Sequence, residues 1–205
     1  MRKRIQKIRG VIGCSVLAVS IFTTSVIGFA ASPVSVREIA STSSSEVAVG
    51  VQTPVFKVSD EIPLGQSLQI ELQTMCGDNA VPYEIALAVI YQESRFDPDA
   101  RNGDCIGYMQ VNKINLEWLH KEIGITDLSN PVQNLMAGTY MLGELFEKYG
   151  EWNMVLTAYN FGESGAHKNF FSKGKISCPY SDAVMVQYKV WKKILEENER
   201  ATLSS

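Results

Sequence analysis

The sequence is short of what several large classes of protein require. Its 205 residues hold two histidines and four cysteines, and none of these falls at a spacing that ligates zinc. No metal and no other cofactor is expected. There is no surplus of positive charge either, since 19 Lys and Arg stand against 22 Asp and Glu. Five of those basic residues, Arg2, Lys3, Arg4, Lys7 and Arg9, lie in the first ten positions, so the remainder carries 14 against 22, a net charge of −8. Nucleic acid is therefore not an expected partner. No internal repeat is visible, and no series of alternating strands beyond a possible short hairpin near 104–111. Only one long apolar run occurs. What remains is enough chain for one globular core with appendages.

The apolar run, 11–31, follows the basic cluster and ends in small residues around Gly28, Ala30 and Ala31. That order defines an export segment, read either as a signal peptide or as a single N-terminal membrane anchor over 1–31. Both readings place the rest outside the cytoplasm, secreted or associated with the cell wall, with membrane contact only through this segment. Three cysteines then remain, Cys76, Cys105 and Cys178. In an oxidising compartment one disulfide and one free thiol is the simplest account, and three buried thiols the alternative.

Residues 32–62 are rich in Ser, Thr and Val, include Ser41, Thr42, Ser43, Ser44 and Ser45, and show no sustained period. They read as a flexible tether. From 63 to 198 the pattern is helical, and 199–205 forms a tail. Helices are expected over 64–76, from Pro82 through the apolar run Ile85 to Ile90, over 115–123, over 131–149 closed by Gly150, over 152–159 and over 181–198. The fold class is therefore all-α, or α+β only through the hairpin. The second helix, apolar nearly all round, belongs at the centre.

The anomaly is Glu93, placed with Gln92 and Ser94 at the end of that apolar helix. Desolvation there raises the pKa of a carboxyl group, which suits a general acid working near neutral pH. A glutamate that simply points into water is the competing reading. Downstream lie Gly107-Tyr108-Met109-Gln110, then Asn134 with Gly138 and Tyr140, then Ala158-Tyr159-Asn160. In this order and spacing, together with Glu93-Ser94-Arg95-Phe96, the strings resemble the motif series of the soluble lytic transglycosylase catalytic domain, related in fold to goose-type lysozyme. The resemblance covers roughly 64–195. It departs from the family pattern at Tyr108, where Leu is usual, and at Phe161, where Ala is usual.

The resemblance implies a lysozyme-like helical domain with a two-lobed glycan cleft, acting on the glycan strands of peptidoglycan. It makes Glu93 the sole catalytic acid/base. Ser94 would support the glutamate or the substrate, and Met109 and Gln110 would line the sugar cleft. Tyr159 and Asn160 would face the scissile region, with the phenol bonding near Glu93, and Tyr180 would be a further cleft tyrosine. Asn134, Gly138 and Tyr140 would serve packing. Because Cys105 and Cys178 each precede a cleft residue by two positions, a disulfide between them would join the cleft walls, with Cys76 as a substitute for either partner.

One carboxylate suffices for a lytic transglycosylase, whereas most glycosidases use two. Asp97, Asp99 and Asp104 are the candidate second carboxylates of a hydrolytic muramidase, and otherwise ordinary loop residues. A non-catalytic glycan-binding or assembly module in an envelope-spanning machine is the rival of another class. Cys105 with His120 or His167 lacks any local signature of a thiol protease. Trp118, Trp152 and Trp191 read as core.

Overall fold

The computed structural model describes residues 56–203. The expected export segment and most of the tether lie outside the described residues. Six helices form where apolar residues recur at helical spacing: α1 (Gln66–Asp78), α2 (Tyr83–Ser94), α3 (Leu116–Ile123), α4 (Pro131–Tyr149), α5 (Trp152–Asn169) and α6 (Pro179–Leu203). Between α2 and α3 stands a small antiparallel sheet in the order β1 (Arg101–Asn102), β2 (Cys105–Ile106) and β3 (Val111–Asn112). The sheet is one strand richer than the hairpin expected from sequence. Among the described residues no helix is long and apolar enough to cross a membrane.

The centre is α2. Ile85, Ala86, Leu87, Ala88, Val89 and Ile90 are each 1 % exposed or less, and each large side chain so buried contributes about 1.5–3 kcal/mol. Around it α6 packs against α2 and α5, and α4 packs against α1 and α5. Asn130 caps α4 by accepting the Gln133 backbone N–H, Pro131 opens it, and Gly150 ends it in a left-handed turn.

The helix expected over 152–159 ends ten residues short of the end of α5. The helix instead takes its break at Gly162 (φ 67°, ψ 157°) and resumes. It continues because Ala166 is fully buried and because Glu163, 3 % exposed, is paired with Lys148 of α4. The Tyr149 hydroxyl also donates to Glu163, at 3.3 Å.

Gly138 fixes how closely α4 approaches the loop between β2 and β3. A methyl group there would stand 2.2 Å from the Met109 sulfur, itself fully buried. Gly138→Ala, although favourable to helix propensity, is expected to destabilise the domain by about 1–3 kcal/mol through overpacking. Urea denaturation checks this, and an unchanged midpoint would show that Met109 moves aside freely.

Candidate active site

Glu93 enters the core because of its register. It continues the face of α2 that carries Ala86, Val89 and Ile90, all fully buried, and is itself 7 % exposed. Its Oε1 accepts a hydrogen bond of 2.7 Å from the Tyr180 hydroxyl, near the start of α6. Its buried Oε2 has no hydrogen-bond partner among the described residues. Burial pushes the Glu93 pKa up to about 7, and the Tyr180 bond opposes this only in part. The carbonyl end of the α2 dipole acts in the same direction as burial. Burial, then the neighbouring Glu93 charge, holds the Tyr180 phenol well above its usual range, so Tyr180 stays a donor.

After Ser94 the chain reverses through two left-handed residues, Arg95 (φ 56°) and Phe96 (φ 64°). Such conformations cost about 1–2 kcal/mol each in residues with a side chain. Aromatic packing offsets that cost. Phe96 is buried edge-on against Trp191 of α6 at 5.6 Å, and the Arg95 guanidinium lies 3.8 Å over the Tyr91 ring. The α2 terminus is thereby fastened to α6, the helix that brings Tyr180.

The Gly107-to-Gln110 segment forms the adjoining loop, and three helices hold its backbone. From α2, the Ser94 hydroxyl donates to the Tyr108 carbonyl at 2.8 Å, with the Ile90 carbonyl sharing it at 3.1 Å. From α4, Asn134 accepts the Met109 N–H at 2.9 Å and donates to the Ile106 and Leu128 carbonyls at 2.7 and 2.9 Å. From α5, the Tyr159 hydroxyl donates to the Met109 carbonyl at 2.9 Å. Gly107 (φ 73°) has no room for a Cβ, which would fall 2.7 Å from the Asn134 amide.

Several sequence expectations change here. Gln110 is 2 % exposed and spends its amide N–H groups on the Ala100 and Gly107 carbonyls, so it staples the loop from within. Met109 is core packing beneath Gly138. Ser94 bonds the loop backbone. The Tyr159 phenol sits close enough to Glu93 for that charge to raise its pKa, but its proton goes to Met109. Asn160 is buried at 5 % exposure beside it. The structure brings Tyr180, the residue placed on the thinnest sequence signal, onto the carboxyl itself.

The Cys105–Cys178 bridge does not form, because Cys178 is a free buried thiol, as is Cys76. The sulfur of Cys178 is instead a hydrogen-bond acceptor at the start of α6, from the Ser181 N–H at 3.4 Å and the Thr157 hydroxyl at 3.5 Å. Cys105 is fully buried and disulfide-bonded, so it offers no thiol to His120 or His167, both of which are exposed. Asp97, Asp99 and Asp104 are exposed; Asp97 accepts the Asp99 N–H at 2.9 Å and Asp104 lies 3.7 Å from Lys113. Among the described residues no group of three or more His, Cys, Asp or Glu is arranged to hold a metal ion.

A buried, proton-holding carboxyl at a helix end, facing a β-loop in a helical domain, is the arrangement of a lysozyme-like protein. The fold agrees with this class. Over 66 % of this chain it matches the X-ray structure of an inactive mutant of lytic transglycosylase Slt from Pseudomonas aeruginosa, with a TM-score of 0.55 and 19 % identity. The chain belongs to the transglycosylase SLT domain family, whose model matches residues 73–177. Two curated relatives are similar over shorter stretches. A membrane-bound lytic murein transglycosylase F of Desulfosudis oleivorans is 33 % identical over 88 residues, 39 % of this chain, and a transglycosylase of Enterobacteria phage PRD1 is 30 % identical over 84 residues, 40 % of this chain. The matches span 18 % and 30 % of those relatives, and 25 % of the Slt chain.

Proposed function

We propose that the domain is a peptidoglycan lytic transglycosylase, cleaving the β-1,4 bond between N-acetylmuramic acid and N-acetylglucosamine with Glu93 as its acid and then its base. The observation that carries this reading is the Glu93 carboxyl. It is buried, protonated up to about pH 7, held by Tyr180 through one oxygen and, among the described residues, without a partner at the other. A general acid is most effective with a pKa near the working pH.

In the first step Oε2 gives its proton to the glycosidic oxygen. The C1–O bond breaks, the glucosamine end leaves as an alcohol, and the muramyl N-acetyl oxygen closes on C1. In the second step the Glu93 carboxylate takes the proton of the muramyl 6-hydroxyl. The resulting O6–C1 bond expels the acetamide oxygen, leaving a 1,6-anhydro product and a reprotonated Glu93. No water is consumed, and the Tyr180 hydrogen bond steadies the carboxylate between the two steps.

The exposed loop positions of Asp97, Asp99 and Asp104 favour this single-carboxyl route over hydrolysis, which needs a carboxylate to direct water across the sugar. Mass spectrometry of the products from purified peptidoglycan tests it. Anhydro-muropeptides are expected; reducing ends alone would mean hydrolysis, and binding without release would mean an assembly module. Exported by its N-terminal segment, the domain would act at the wall, opening it locally for a larger envelope apparatus. Cell fractionation, with the protein remaining in the cytoplasm as the contrary result, tests that placement.

A further inference from the structure

Tyr180 reaches Glu93 from the second position of α6, so whatever sets the first turn of α6 also sets the catalytic hydrogen bond. Cys178 is the N-cap of that helix: its carbonyl accepts the first helical bond, from the Asp182 N–H at 3.0 Å, and Pro179 follows at the first helical position. The usual cap donor–acceptor exchange is made here with sulfur. The Cys178 Sγ accepts the Ser181 N–H at 3.4 Å, and the Ser181 Oγ accepts the Cys178 N–H at 2.9 Å. Tyr180 is enclosed between the two halves of this reciprocal box.

A second tie runs sideways. The Thr157 hydroxyl of α5, fully buried and two residues before Tyr159, shares its proton between the Ile176 carbonyl at 3.4 Å and the same sulfur at 3.5 Å. The thiol is 2 % exposed and free. One sulfur thus meets the first turn of the helix that presents Tyr180 and the helix that holds the Met109 carbonyl.

We propose that Cys178 is a positioning residue for catalysis: its thiol closes the capping box that fixes Tyr180 at hydrogen-bond distance from the Glu93 carboxyl. The proposal rests on the catalytic reading of Glu93, yet the geometry it describes is measurable without turnover. Besides Glu93, the titratable groups acting on Tyr180 are Tyr159 of α5, whose proton is committed to Met109, and Cys178 itself.

The test follows the Glu93 carboxyl carbon by NMR in glutamate-labelled protein from about pH 4 to about pH 9, the signal being assigned by its loss in Glu93→Gln. The wild-type midpoint is expected at about 7. Tyr180→Phe removes a donor that stabilises the anion, so its midpoint should rise by roughly one unit. Cys178→Ala should raise the midpoint by a measurable part of that shift, whereas Cys178→Ser, which keeps a capping acceptor, should titrate as wild type. Combining Cys178→Ala with Tyr180→Phe should move the midpoint no further than Tyr180→Phe alone. Should the alanine variant not fold, Ser181→Ala opens the other half of the box and is expected to shift in the same direction.

In peptidoglycan digestion the alanine variant should lose kcat several-fold at unchanged KM, with serine restoring it. A wild-type midpoint in the alanine variant, failure of serine to rescue, or a further shift in the Tyr180→Phe background would each overturn the proposal. If instead the wild-type protein releases no glycan fragments while these titrations behave as described, the catalytic reading fails and the capping relation stands.

Discussion

Glu93→Gln is expected to lower the rate of glycan cleavage at least about a thousandfold while leaving the fold intact. A positioned proton donor or acceptor is worth roughly 10²–10⁴ in rate, and in the proposed reaction Glu93 would serve in both steps. The glutamine is nearly isosteric, and its amide oxygen still accepts from Tyr180, so a loss of activity would report the missing proton rather than a collapsed site. Retention of more than about a tenth of the wild-type rate would remove Glu93 from the chemistry, since no acid/base role is that weak.

The same substitution should reveal what the buried carboxyl costs the fold. The folded pKa of about 7 lies above the ordinary value of 4.5. Below pH 4.5 the group is protonated in both folded and unfolded chains and contributes no difference. Between the two values the unfolded chain releases the proton and the folded one keeps it, so stability falls as pH rises. Above about 7 the loss is complete and amounts to about 3 kcal/mol. Glutamine does not titrate. The stability of Glu93→Gln relative to wild type should therefore rise by about 3 kcal/mol between about pH 4 and pH 8, measured by urea denaturation at a series of pH values. Any fixed penalty for burying the amide N–H groups cancels in this difference. A pH-independent difference would show a solvated glutamate.

How much of this was legible depended on whether a residue's neighbours were near in sequence. Apolar spacing gave the helical class and placed Ile85 to Ile90 at the centre, because helix periodicity is a local property. Pro131 and Gly150 bound α4 as local signals should. Glu93 stood out for the same reason, as a polar side chain on an apolar helix. The orientation of Met109, Gln110 and Tyr159 was not readable. Gln110 adopts a left-handed backbone (φ 46°) in a loop with no period, and the direction of its side chain follows from carbonyls supplied by other segments. Ser94 and Tyr159 looked like substrate contacts, yet both hydroxyls are spent on the loop's own main chain. Cys178 misled in another way. Two cysteines near one cleft suggest a covalent bond, while the sulfur was already engaged at a helix start whose position sequence reading set two residues late.

The hydrogen bond between Tyr180 and Glu93 spans 87 positions of the chain. A polypeptide synthesised from its N-terminus therefore carries the acid long before the phenol that steadies it, and α2 has to wait for α6 to cover its far side. A chain interrupted after α5 would hold the glutamate, the loop and most of the residues by which the family is recognised, but not a finished catalytic pair. On the proposed function, a product that stops short of α6 would therefore carry the acid without the phenol that steadies it.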